Sequence, residues 1–433
     1  GNDSTGEVDA TEFAESEHLS YTDDVRELEG SDVFIIAVPT PIDSNNRPDL
    51  TAIKNASGAV GEILVKGAVV IFESTVFPGA TEEICIPIIE KTAGMTLNED
   101  FFAGYSPERI NPGDKDHSLT NVIKVTSGST TETLDFVDSL YRSIVSAGTH
   151  PVSSIRIAEA SKVIENTQRD VNIALINELA LIFEKLDIDT QAVLEAAATK
   201  WNFLPFEPGL VGGHCIGVDP YYLTHRAQAA GYQPDIILEA RRINNSMAAH
   251  IGERVIRLMI QKHIEIAGSK ILVLGLSYKE NCPDLRNTRV PDLIATMGAY
   301  GADVDVYDPW VLADDAKQLF DIHPIQQPDI EAYNAIVIAV AHRQFQQFGA
   351  DTIKSFGKPD AVIFDVKHML DAADVTVRAT QKNAVLNTVG GLAGGGGHYS
   401  CRSRDWRRVG EGPSTSRSGA SRTGTVRGCV AER

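Results

Sequence analysis

The sequence predicts an α/β protein made of two doubly wound parallel sheets joined by one long helix, and three features carry that prediction. Short apolar, β-branched runs alternate with helical periodicity over residues 32–145, and the alternation resumes at Lys270. Several runs stop abruptly at Pro, Glu or Asp, as buried parallel strands do at their carboxyl ends. Between the two blocks, residues 155–186 keep a helical period with no breaker.

The first strand is expected over residues 32–38 (DVFIIAV), closed by Pro39-Thr40-Pro41. A helix follows over 51–64 and a strand over 68–72, ending in Glu73-Ser74-Thr75. After Pro78-Gly79 comes a helix in which Pro87 is a candidate kink. Strands over 101–105 and 122–126 and a helix over 131–145 complete the unit. In such sheets ligands sit at the carboxyl ends of the strands, which makes Pro39, Thr40, Ser74, Thr75 and Glu108 candidate contacts.

The helix over 155–186 is long enough to bridge domains, with Ser153 or Ser154 as its cap. It carries Lys162 and Asn166 four residues apart, hence on one face. On an isolated helix such a pair is usually solvated; a reactive cysteine nearby would give it a shared purpose. The second unit reads as a strand over 271–274, a loop over 275–289, a helix to about 300, and strands over 303–306, 335–340 and 361–365. Its loop holds Lys279, Arg286 and Arg289, cations at a strand end that suit a pyrophosphate, although solvated charge is the commoner fate of such residues. Past residue 370 periodicity is lost, and the Gly-, Ser- and Arg-rich sequence to Arg433 has the composition of disorder or of a non-native tail.

The net charge of −20 argues against a nucleic-acid-binding surface while permitting a local basic pocket for a phosphorylated small molecule. The five cysteines follow neither disulfide nor zinc spacing, so reduced thiols and no metal are expected. No run approaches the roughly 20 apolar residues of a membrane span, and the N-terminus lacks a signal-peptide layout. A cytoplasmic protein with small-molecule partners is the expectation.

The most informative stretch is PGLVGGHCIGVDPYY, residues 208–222. It sets Cys215 among Gly209, Gly212, Gly213 and Gly217, with His214 and Asp219 beside it. Glycines let backbone approach a ligand closely or turn through positive φ. A thiol is nucleophilic only as thiolate, so an activated cysteine needs partial access and a cation or helix N-terminus to lower its pKa from about 8.5. The competing reading is a buried structural cysteine in a tight turn.

Separated segments resemble the UDP-sugar 6-dehydrogenases, in particular the bacterial UDP-N-acetylhexosamine branch: IAVPTPID (36–43), ESTVFPGATEE (73–83), GYSPERINPGD (104–114), EASKVIENTQRDVNIALINELA (159–180), KWNFLPFEPGLVGGHCIGVDPYYL (200–223) and LGLSYKENCPDLRNTR (274–289). The resemblance runs from Gly1 to about Leu370. It implies an NAD-binding Rossmann domain over 1–150, a central helical and dimerisation domain over 151–260, and a UDP-binding Rossmann-like domain over 261–370, leaving 371–433 as tail. The implied activity is oxidation of a C6 alcohol to a carboxylate with two NAD in succession, for surface polysaccharide precursors, in a homodimer. By the same resemblance Cys215 forms a thiohemiacetal and then a thioester, Lys162 and Asn166 hold the oxyanion, and Asp219 and Glu108 handle protons and water. Thr40, Thr75 and Arg286 match cofactor contacts. Phe203, Gly212, Tyr278 and Lys279 match nucleotide-sugar contacts, and Arg109 is a reader of the N-acetyl group.

The chain departs from the family pattern in having no GxGxxG, so the first strand, its glycine turn and the following acid are expected to be missing and the first domain incomplete. Two other functions therefore stand beside the main one: a nucleotide-sugar-binding fragment without turnover, and a UDP-N-acetylmannosamine or UDP-glucose dehydrogenase.

Overall fold

A computed structural model describes residues 19–110, 119–213 and 215–378, so His214 and the tail beyond residue 378 lie outside the described residues. β1 (Val33–Ile36), β2 (Val69–Phe72), β3 (Phe102–Tyr105), β4 (Lys124–Gly128) and β5 (Thr149–Pro151) form the first sheet in sequential order. α1 (Thr51–Ile63) and α2 (Ile86–Ala93) make the crossovers between β1, β2 and β3, which are parallel. One pairing departs from the all-parallel expectation: β4 runs antiparallel to β3, with Gly104 opposite Gly128. None of the described residues between these strands is helical. α3 (Thr131–Arg142) restores the parallel sense between β4 and β5. The expected disturbance at Pro87 takes the form of a wide π turn over Thr81–Cys85, immediately before α2.

Period-two alternation sorts the first sheet's side chains. Phe34, Ile36, Val70 and Phe72 face Ile53, Ile63 and Ile89 of α1 and α2. Val69 and Ile71 face Val137 and Tyr141 of α3. That second layer stops short of the end of β1, where Ile35 is 50% exposed between buried Phe34 and Ile36.

α4 (Ile155–Leu186) spans the range read from the sequence and is capped by Ser154, whose hydroxyl accepts the Ile157 amide at 3.3 Å. It packs against α7 (Asp235–Gln261), with α5 (Thr190–Ala198) and α6 (Asp219–Ala229) between them in the chain. A buried ion pair joins the two long helices, Arg241 Nη1 lying 2.6 Å from Asp170 Oδ1.

The second sheet has the order β10-β9-β8-β6-β7, from β6 (Lys270–Leu274), β7 (Asp303–Tyr307), β8 (Tyr333–Ile338), β9 (Gly357–Asp365) and β10 (Val377–Arg378), all parallel. Leaving β6, the chain first builds β7 on one side and then β8 on the other, which makes the carboxyl end of β6 a topological switch point. Both faces are covered: Ile251, Val255 and Met259 of α7 with Leu293 and Met297 of α8 (Val290–Gly298) on one, Phe345 and Ile353 of α10 (Arg343–Phe356) on the other. α9 (Ala313–Phe320) follows β7. β10 extends the sheet past residue 370, with Val377 buried in its core.

Candidate active site

The long helix presents a stripe of polar side chains to a cavity of about 610 Å³: Lys162, Glu165, Asn166 and Arg169, followed by Ile173. Their spacing keeps them on one face of α4. The opposite walls come from the glycine loop with Cys215 and from the loop after β6 with Tyr278, Lys279 and Arg286. Lys367 and His368, just past β9, complete the second-domain side.

The glycine loop is held from both ends. The Asn177 side chain clasps the Gly209 peptide, accepting its amide at 2.8 Å and donating to its carbonyl at 3.1 Å. At the other end, Cys215 O accepts the amides of Val218 at 3.2 Å and Asp219 at 2.9 Å, turning the chain into α6. Two glycines are obligatory between these anchors. A Cβ on Gly213 would sit 2.6 Å from the Tyr278 ring on a backbone already at φ +87°, and one on Gly212 would meet Asn287 O at 2.8 Å. Any larger residue would push the cysteine loop away from the second domain.

Asp219, the first residue of α6, is 3% exposed and accepts a hydrogen bond from Asn166 Nδ2 at 2.6 Å. Burial pushes its carboxyl up to about 6, against the opposing pull of Asn166 and Lys162. Burial also raises the Cys215 thiol, as does the neighbouring Asp219, while Lys162 and Arg286 pull it down. The sequence predicts a lowered thiol; desolvation outweighs both cations here. Lys162 itself is buried.

The other predicted site residues are placed as follows. Arg109 lines the cavity, ion-paired to Glu165 at 2.6 Å and donating to Ile123 O at 2.8 Å. Gly212 also lines it, and Arg286, expected with the cofactor group, is found there too, held by Asp284 at 2.6 Å. Glu108 is not among the lining residues; its carboxylate accepts the amides of Arg109 at 2.6 Å and Ile110 at 2.7 Å. Phe203 is half-buried outside the cavity wall. Pro39, Thr40, Ser74 and Thr75 lie away from the cavity at the carboxyl ends of β1 and β2. There Thr40 Oγ1 donates to Thr75 O at 2.7 Å and Ser74 Oγ to Val38 O at 2.7 Å. Tyr222, on the helix that starts after Cys215, ties the two regions by donating to Thr40 O at 2.6 Å.

Sequence reasoning missed Glu165 and Arg169, which the Lys162 and Asn166 face extended by one turn would have found. It also missed Lys367 and His368, whose signal was their place after a strand. Buried Lys124, 3.3 Å from Glu73, carried no local signal. Among the described residues no cluster of His, Cys, Asp or Glu is set to hold a metal ion, and no helix is long and apolar enough to cross a membrane.

The same architecture occurs in solved structures. A UDP-D-ManNAc dehydrogenase from Pyrococcus horikoshii aligns with a TM-score of 0.73 at 32% identity, over 81% of each chain. The UDP-N-acetyl-mannosamine dehydrogenase Cap5O from Staphylococcus aureus aligns with a TM-score of 0.70 at 31% identity, over 82% of each. The fold and the cysteine-lined cavity thus define a two-domain nucleotide-sugar dehydrogenase. More narrowly, the chain belongs to the UDP-glucose/GDP-mannose dehydrogenase family: residues 8–145 match its NAD binding domain, 156–246 its central domain and 272–372 its UDP binding domain. It is 57% identical over 371 residues to a UDP-N-acetyl-D-glucosamine 6-dehydrogenase of Pseudomonas aeruginosa, covering 86% of this chain and 88% of that protein. A protein of the same description from Salmonella typhi is 52% identical over 378 residues, 87% of this chain and 89% of its own.

NAD is the family's cofactor, and the residues present fit it on one side. The ends of β1 and β2 carry the expected contacts Pro39, Thr40, Ser74 and Thr75, with Tyr222 of the helix after Cys215 bonded to Thr40 O. The pyrophosphate finds no equivalent seat among the described residues of this domain: Glu159 takes the amides of Gly79 at 2.5 Å and Thr81 at 2.9 Å, and Asp49 takes that of Thr51 at 2.9 Å.

Proposed function

We propose that this chain oxidises the C6 hydroxyl of UDP-N-acetylglucosamine to the carboxylate, in the cytoplasm, for polysaccharide precursors. The observation that carries the reading is one cavity lined by Cys215, Lys162 and Asn166 together with Tyr278, Lys279 and Arg286. Such a cavity suits a sugar at the cysteine and a diphosphate at the cations. The sugar is named from the relatives: 57% and 52% identity to UDP-N-acetyl-D-glucosamine 6-dehydrogenases, against 34% to a UDP-N-acetyl-D-mannosamine dehydrogenase.

NAD, when bound, supplies the hydride acceptor twice, so that one alcohol, two NAD⁺ and one water give one carboxylate, two NADH and three protons. Between the two oxidations Cys215 Sγ bonds to C6 of the aldehyde. Asp219, ionised above pH about 6, accepts the thiol proton, and the charges of Lys162 and Arg286 favour the thiolate. Lys162 and Asn166 donate to the oxygen that becomes negative on C6. Loss of the second hydride leaves a thioester; water adds to it, the C–S bond breaks, and sulfur departs with the electron pair. Glu108 accepts the amides of residues 109 and 110 on Oε1, has Oε2 3.8 Å from Lys124 and does not line the cavity, so the water falls to Asp219. Arg109, which lines the cavity paired to Glu165 of α4, faces the acetamido group.

The outer face of α4 supports a homodimer. Ile157, Ile164, Leu175, Ile182 and Leu186 are all exposed and fall within about 40° of one line along the helix. A second copy covering that stripe removes it from water. Replacing Ile164 and Leu175 by Glu should halve the mass seen by light scattering. NADH production compared across UDP-N-acetylglucosamine, its galacto and manno epimers and UDP-glucose tests the substrate; fastest turnover of UDP-glucose would overturn it. A second reading, nucleotide-sugar binding without turnover, is favoured by Glu159 and Asp49 taking the amides of Gly79, Thr81 and Thr51 in the first domain. Separate calorimetric titrations with UDP and NAD decide between them.

A further inference from the structure

The loop that brings Tyr278 and Lys279 to the cavity is fastened at both ends by one buried side-chain pair, and we propose that His342 is the positioning residue that sets this loop for a nucleotide diphosphate. At the near end, Asp308 Oδ2 accepts the amides of Leu276 at 2.6 Å and Ser277 at 3.0 Å. His342 Nε2 lies 3.1 Å from the same oxygen. At the far end, His342 Nδ1 accepts the amide of Asn281 at 2.9 Å. Because Nδ1 accepts, the proton of the neutral ring sits on Nε2 and is donated to Asp308. One imidazole therefore spans the segment between Ser277 and Asn281.

The arrangement is closed and reciprocal. Asn281 adopts φ +56°, a conformation Asn tolerates, and its Oδ1 accepts the Arg343 amide at 2.9 Å. Asp308 Oδ1 accepts the Trp310 amide at 2.8 Å, and both His342 and Asp308 side chains are completely buried. Phe345 meets the imidazole edge-on at 5.3 Å and Trp310 stacks at 6.3 Å, fixing the ring plane. Three strand ends contribute: the loop leaves β6, Asp308 follows β7 and His342 follows β8. A histidine present only to fill the core would not place its two nitrogens toward opposite ends of one ligand loop. Preorganising the loop lowers the ordering cost on binding.

That the ligand is a nucleotide rests on the function proposed above, so separate measurements test each. Titrating UDP into the full chain, His342→Leu, which keeps the apolar packing and loses the contacts to Asp308, Asn281 and the Ser277 hydroxyl, should weaken binding at least tenfold, roughly the worth of one to two hydrogen bonds. His342→Asn keeps an acceptor toward Asn281 and should stay within about threefold of wild type. Equal UDP affinity in wild type and His342→Leu, or an equal loss in both variants, overturns the proposal. Should wild type itself not bind UDP, the nucleotide reading falls, and amide exchange still judges the clamp. Exchange at Ser277 and Asn281 should quicken at least tenfold in His342→Leu, by the same hydrogen-bond reckoning, and unchanged exchange overturns it. If His342→Leu does not fold, His342→Gln, which drops the Asn281 contact and retains the Asp308 donor, takes its place under the same criteria.

Discussion

The two sheets are built from the same kind of unit and finished differently. The second is covered on both faces, and residues past two of its strands converge on the loop that leaves a third. The first has its full second layer only under β2 and β3, and its β1 edge leaves Ile35 half in water. The contrast teaches that holding a nucleotide and oxidising a sugar are separable tasks here. On the proposed function, the first depends on the second sheet and α4, and the second on Cys215, Lys162 and Asp219, linked to the end of β1 through Tyr222.

The sharpest way to break that separation is Cys215→Ser. Acid formation should fall by about 10³-fold or more, because the oxygen neither adds as readily nor leaves as a thiolate does. UDP affinity, measured by calorimetry, should stay within about twofold of wild type, since the exchange alters one atom and leaves Tyr278, Lys279 and Arg286 in place. Parallel losses of both would join what the comparison separates. Leu272→Ala, in the fully buried second sheet, should cost about 2–5 kcal/mol in denaturant unfolding and weaken UDP binding with it. Lys162→Ala should cut turnover by about 10²-fold with little change in UDP affinity, the usual worth of one oxyanion donor.

Asp219 supplies a pH test of the seam. Its carboxyl is raised from an ordinary 3.8 to about 6, so between those values the folded protein keeps a proton that the unfolded chain has released. Its contribution to stability is full below pH about 4 and lost as pH rises through about 6. Asp219→Asn should therefore gain melting temperature relative to wild type between pH 4 and pH 7. Turnover, needing the ionised form, should fall about tenfold per pH unit below 6 in wild type and flatten in the variant. The smallest effect is expected at the open edge: Ile35→Lys should change stability by no more than about 0.5 kcal/mol, since that side chain is half in water already.

Much of this was legible in the residues. The 32-residue helix showed itself because nothing interrupts its period between a serine cap and a left-handed Asp187. Cys215 and its glycines announced a close approach, and the structure names its object, the Tyr278 ring. The antiparallel β4 was hidden because pairing sense is a property of the connection, not of the strand's own pattern. The pull of the cations on Cys215 could be guessed from composition, but the depth of burial that overrides it could not. His342 and Asp308 are 34 residues apart and lie past different strands, so only the switch in strand order brings them to one loop.

The central claim is that sulfur 215 carries carbon six through the second oxidation. Acid-quenching the protein during turnover with UDP-N-acetylglucosamine and NAD, then reading the peptide that contains Cys215 by mass spectrometry, tests it most directly. The account predicts an acyl adduct on that cysteine whose abundance decays as substrate is exhausted. An unmodified peptide while NADH accumulates would contradict it.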